Sequence, residues 1–195
     1  MKNFKMFQLL LLTLVISYNV SWAQEDDYRS TRRVVKDGYV YQVDNESGGI
    51  VLYNTENKYT YRTRTNKDGT EADNLVQLGI TKTLIHGPVD YDLLRIISGT
   101  FINPYVPVFN LENPNELKGL IITLIIEPET GKVIEVNFMF SINSPYSRVP
   151  IEAYRNIETE LIRLMQFEVT DDGKQLSHCM FFWTSDLYAP RYWAH

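Results

Sequence analysis

From Val34 onward, β-branched and aromatic runs alternate with short polar punctuation, the texture of strands joined by turns. Residues 38–43, 50–53 and 59–64 read as three strands of an antiparallel meander, separated by Ser47-Gly48-Gly49 and Asn54-Thr55-Glu56-Asn57. In the third run Tyr59, Tyr61 and Thr63 share one face, which leaves Arg62 and Arg64 facing solvent. Asn66 to Thr70 is a polar turn, and Leu75 to Leu84 is an irregular apolar stretch of mixed character. Residues 88–97 read either as a short helix, opened by Pro88, Asp90 and Asp92 and closed near Gly99, or as a strand. Pro104, Pro107 and Pro114 exclude regular structure between Asn103 and Asn115 and mark a sub-boundary.

The clearest pattern comes next. Gly119 to Ile126 is nearly all apolar, Val133 to Phe140 alternates, and Glu127 to Lys132 joins them, so the pair is a β-hairpin with Gly131 suited to a positive φ. After Pro150, the positions Ile151, Tyr154, Ile157, Leu161, Leu164 and Met165 recur at helical spacing, with Glu152, Arg155, Glu158, Glu160 and Arg163 mostly elsewhere. Asp171 to Lys174 turns the chain into a last strand, Cys179 to Trp183. The fold class is α+β: an antiparallel sheet with a long amphipathic helix packed on one face, preceded by a β-meander.

The first residues have a different character. Lys2 and Lys5 precede an apolar run from Met6 to Ile16 and small residues around Ala23, which reads as a secretory signal peptide over residues 1–23. The run is shorter than the roughly 20 residues a spanning helix needs, and no later stretch is longer, so a soluble exported chain is expected, in the periplasm or outside the cell. Residues 24–33 read as a flexible polar leader and 34–195 as one α+β domain. Asn45-Glu46-Ser47 matches a glycosylation sequon, but for a bacterial chain an ordinary turn is the preferred reading.

Charge and composition narrow the function. The formal net charge is −5, and loss of Lys2 and Lys5 makes it more negative, which argues against nucleic acid and anionic membrane surfaces as partners. Cys179 is the sole cysteine, so no internal disulfide forms, and among Met180, Phe181 and Phe182 it reads as a small buried hydrophobe. His86, His178 and His195 lack metal-ligand spacing, and His178 and Cys179, as strand neighbours, point to opposite faces rather than forming a thiol–imidazole pair. Asp68, Glu71 and Asp73 lack a calcium-loop pattern. Asp90 and Asp92 share a face only on a strand and otherwise favour a helix start, while Glu127 and Glu129 lie in an exposed turn. No nucleophile elbow, phosphate loop or dinucleotide fingerprint occurs, so no catalytic residue, metal or cofactor is assigned.

Residues 116–183 resemble the C-terminal domain of TonB and its relatives. The similarity lies in Leu117-Lys118-Gly119 entering a strand, the Glu129-Thr130-Gly131-Lys132-Val133 turn, the helix, and Asp172-Gly173-Lys174-Gln175-Leu176 before the last strand. The Tyr-Pro pair, membrane anchor and proline-rich spacer of that family are missing, so its energy-transducing activity is not implied. As a whole the chain resembles exported proteins of unknown function from Bacteroides-like bacteria. The expected function is a non-enzymatic module that binds another envelope protein, for example by strand addition. The alternative is a glycan-binding accessory protein that uses the aromatic tail, with Tyr188, Tyr192 and Trp193 as binding residues. A hydrolase built on Asp90 and Asp92 ranks third.

Overall fold

The computed structural model describes residues 28–30, 32–46, 48–72, 84–86, 89–106 and 119–185. Six strands form one antiparallel sheet: β1 (Arg32–Lys36), β2 (Tyr39–Glu46), β3 (Gly49–Asn54), β5 (Leu120–Ile126), β6 (Val133–Ser141) and β8 (Cys179–Ser185), in the order β1-β2-β3-β6-β5-β8. A separate two-stranded pairing joins β4 (Ile85–His86) to β7 (Glu168–Val169). The helices are α1 (Tyr91–Ile102) and α2 (Ile151–Leu164).

Pattern explains the sheet's two faces. In β3, Ile50, Leu52 and Asn54 are buried and alternate with the half-buried Gly49, Val51 and Tyr53. The register carries that alternation across the sheet, placing Leu52 opposite Phe138, and Ile122 opposite both Phe138 and Trp183. This inner face meets α2: the Tyr154 ring stacks on Phe140 at 5.5 Å and lies 4.9 Å from Phe138. α1 in turn packs against α2. Central strand β5 is buried along nearly its whole length, which explains its unbroken apolar run. In the β5–β6 turn Gly131 has φ +70, as its position demands, and its carbonyl accepts from the Phe167 N–H at 2.8 Å.

The helix expected after Pro150 forms, but at 14 residues it is of ordinary length. Pro150 is its N-cap residue, Met165 lies just beyond its end, and Leu164 is exposed. Residues 91–102 are helical rather than extended, because the Asp90 carboxylate caps the Leu93 N–H at 2.8 Å. The helix also runs through Gly99, which is buried inside it.

Two expectations are corrected. Residues 59–64 form no strand. Instead the chain crosses the outer face of the sheet, where the Glu135 carboxylate accepts from the N–H groups of Lys58 (2.7 Å) and Tyr59 (3.0 Å), and Asn57 Nδ2 donates to the Val136 carbonyl at 3.0 Å. A side chain thus supplies the acceptors a neighbouring strand would have offered, and Arg64, expected in solvent, is buried. The polar leader expected over 24–33 also contains ordered structure. Tyr28 is fully buried against Phe140 and Tyr154 and donates to the Val149 carbonyl at 2.9 Å, while Arg32 and Arg33 belong to β1. Aromatic burial outweighs the polarity of its neighbours.

Strands from both sides of the proline-rich stretch pair in this one sheet, β3 with β6. The expected signal peptide, residues 75–83, Pro107, Pro114 and the Leu117-Lys118 entry lie outside the described residues.

Candidate functional site

Three features of the described residues bear on function: an aromatic and polar cluster on the outer face, the contrast between the two sheet edges, and the buried titratable groups.

Strand alternation turns Gln42 and Asp44 of β2 and Tyr53 of β3 outward, with Gln42 opposite Tyr53. The crossing segment adds Tyr61. Asp44 organises the group: its Oδ2 accepts from the Tyr53 hydroxyl at 3.0 Å and the Tyr61 hydroxyl at 2.8 Å, and its Oδ1 accepts from Gln42 Nε2 at 2.9 Å. Arg33 Nε donates to Gln42 Oε1 at 3.4 Å. The two tyrosine rings meet edge to face at 5.5 Å. Burial and the Asp44 carboxylate push the Tyr53 hydroxyl up to about 12, so it stays a donor at any physiological pH. Tyr61 remains 61% exposed.

The edges differ in chemistry. Edge strand β1 carries Arg32, Arg33 and Lys36, and Lys36 pairs with Glu152 of α2 at 2.5 Å. Charge of this kind protects an edge against further pairing. β8 reads Cys-Met-Phe-Phe-Trp-Thr-Ser, with no charge and no proline, and among the described residues it pairs only with β5. Phe182 on this strand is 48% exposed.

The buried titratable groups are held structurally. Glu158 of α2 accepts from the Tyr41 hydroxyl, and Arg155 Nη1 reaches the same oxygen at 3.1 Å while its guanidinium lies 5.1 Å from the Tyr39 ring centre. Burial pushes the Glu158 carboxyl up, against the pull of Tyr41 and Arg155. His178 shares a hydrogen bond with Ser177 Oγ at 3.0 Å and lies 4.4 Å from the Tyr59 ring, whereas Cys179 Sγ faces the Gly173 carbonyl at 3.6 Å. Burial raises the thiol to about 11; burial with Arg64 and Arg62 nearby lowers the imidazole to about 4. A nucleophile and its base need the opposite shift at the thiol.

The carboxylates singled out in the sequence do not converge. Asp90 caps α1, Asp92 pairs with Arg95 at 2.8 Å on its exposed surface, Glu127 accepts from Thr130 Oγ1 at 2.6 Å, and Glu129 pairs with Lys67. Asp68 Oδ1 accepts from the Thr70 N–H at 2.9 Å within its own turn. His86 is exposed in β4. No group of three or more His, Cys, Asp or Glu positioned for a metal occurs among the described residues. Tyr188, Tyr192 and Trp193 lie outside them.

Sequence reasoning missed the Tyr53–Tyr61–Asp44 cluster. Its signal was Asp44 and Tyr53 at outward positions of adjacent strands, but Tyr61 reaches it only because residues 57–61 are not a strand.

Residues 104–183 match a family described as Domain of unknown function (DUF5043). The chain is similar to the crystal structure of a DUF5043 family protein from Bacteroides uniformis. The two are 32% identical with a TM-score of 0.67, over 82% of this chain and 86% of that one. No curated protein matches.

Proposed function

Since this chain belongs to the DUF5043 family, for which no function is established, we propose that it is an exported, non-enzymatic module of the cell envelope that binds an extended segment of another envelope protein by strand addition at β8. The observation that carries this reading is the asymmetry of the edges. β1 is guarded by three basic residues, whereas β8 offers seven uncharged residues. A strand of this length adds main-chain hydrogen bonds to an incoming segment, and its alternating Met180, Phe182 and Thr184 supply side-chain contacts on the outer face. The uncharged edge favours a partner segment that is itself apolar and extended. The TonB-like order of elements over 116–183 and the signal-peptide character of residues 1–23 support the same reading.

Selection from a display library of random twelve-residue peptides tests it. Enriched peptides are expected to slow amide exchange within residues 179–185 and to lose at least tenfold in affinity on Phe182→Lys, with the melting temperature of the variant unchanged. Peptides that protect another surface, or no enrichment at all, refute strand addition at this edge.

A further inference from the structure

We propose that the outer-face cluster of Tyr53, Tyr61, Asp44, Gln42 and Arg33 is a binding site for a neutral saccharide, separate from the β8 edge. Tyr61 gives the site a flat, exposed ring whose orientation is fixed twice, by the edge-to-face contact with Tyr53 at 5.5 Å and by its hydroxyl bond to Asp44 at 2.8 Å. An aromatic surface held in place binds with little loss of side-chain freedom and suits the C–H face of a pyranose ring.

Around that ring the polar groups are mixed in kind. Asp44 accepts three hydrogen bonds from its neighbours and has lone-pair capacity for another. Gln42 Nε2 is committed to Asp44 and to the Val43 carbonyl at 3.3 Å, whereas Arg33 uses only Nε in its bond to Gln42, which makes its Nη groups the donors of the cluster. Sugar hydroxyls both donate and accept, so acceptor and donor groups side by side match them.

Charge selects the class of ligand. One carboxylate and one guanidinium sit in the same cluster, so neither an anion nor a cation meets a field of a single sign. A cationic ligand is drawn by Asp44 but opposed by Arg33, and an acidic sugar the reverse, so a net charge on the ligand gains little from the pair. A neutral polyhydroxylated ligand loses nothing to either.

Affinity electrophoresis through gels containing starch, dextran, galactomannan, xylan or arabinan tests the proposal. The wild-type protein is expected to be retarded by at least one of these neutral polymers. Tyr61→Ala should weaken that retardation at least tenfold in apparent affinity without lowering the melting temperature, while Tyr91→Ala, which removes an exposed aromatic from α1, should leave it unchanged. Phe182→Lys should also leave it unchanged, which keeps the test independent of strand addition. Absence of retardation in all five gels, retardation that survives Tyr61→Ala, or equal loss on Tyr91→Ala overturns the proposal.

Discussion

At the scale of single residues, the buried titratable groups set how stability depends on pH. His178 titrates near 4 in the folded chain against about 6.5 unfolded, so between those values the unfolded state binds more protons. Its contribution is complete above about pH 6.5 and is lost as pH falls toward 4, a loss on the order of 2–3 kcal/mol. Glu158 acts in the opposite sense: its raised folded pKa makes the native state the better proton binder, so its contribution declines as pH rises through its window. Urea titrations at pH 4.5 and 7, compared between wild type and His178→Phe, isolate the histidine, and the variant should show the smaller difference between the two pH values. The bonds around Glu158 make a second prediction. Glu158→Ala leaves the buried Tyr41 hydroxyl without its acceptor and Arg155 without its counter-ion, and should lower unfolding free energy by about 3 kcal/mol.

At the scale of elements, two glycines with similar backbone angles separate conformation from packing. Gly38, φ +84, joins β1 to β2 in open space, and Gly131, φ +70, joins β5 to β6 against Phe167. A Cβ at Gly38 meets nothing within 4 Å, whereas one at Gly131 would lie 1.8 Å from the Phe167 carbonyl oxygen. Gly38→Ala should therefore cost about 1 kcal/mol, the strain of a left-handed alanine. Gly131→Ala should cost about 3 kcal/mol or more, since backbone must move as well. Chemical denaturation of both variants, side by side, checks the ordering. The hairpin glycine was legible in the sequence from its turn. Its contact with Phe167 was not, because that residue is 36 positions away and arrives only after α2 has turned the chain back.

At the scale of the whole molecule, the sheet is assembled from both halves of the chain. β6 is paired with β5 on one side and β3 on the other, so Phe138 and Phe140 are covered partly by Ile50 and Leu52. Tyr28, from still earlier in the chain, closes the same core against Tyr154. The segment 104–183 taken alone would expose this apolar surface and one side of β6, and it should show no cooperative unfolding by circular dichroism in urea. A cooperative transition in that fragment would contradict the account of the core. The same assembly puts β1 and β8 at opposite edges, and so creates the contrast on which strand addition rests.

Local periodicity was enough for the elements in which it is strong: the hairpin at 119–140, the helix after Pro150 and the last strand, each set by which side chains repeat on one face. It left 88–97 undecided between helix and strand, a choice that the Asp90 cap on the Leu93 N–H makes in the folded chain. It also misread 59–64, because alternation signals a strand only if another strand is there to bond it, and here the Glu135 carboxylate takes the N–H groups of Lys58 and Tyr59 while Arg62 bonds back to Tyr59 in a turn. Burial of Arg64 and Tyr28, the meeting of Tyr61 with Asp44, and which strands form the edges among the described residues arise only in the folded chain. Each depends on contacts between residues distant in the chain, which no local pattern of polar and apolar positions encodes.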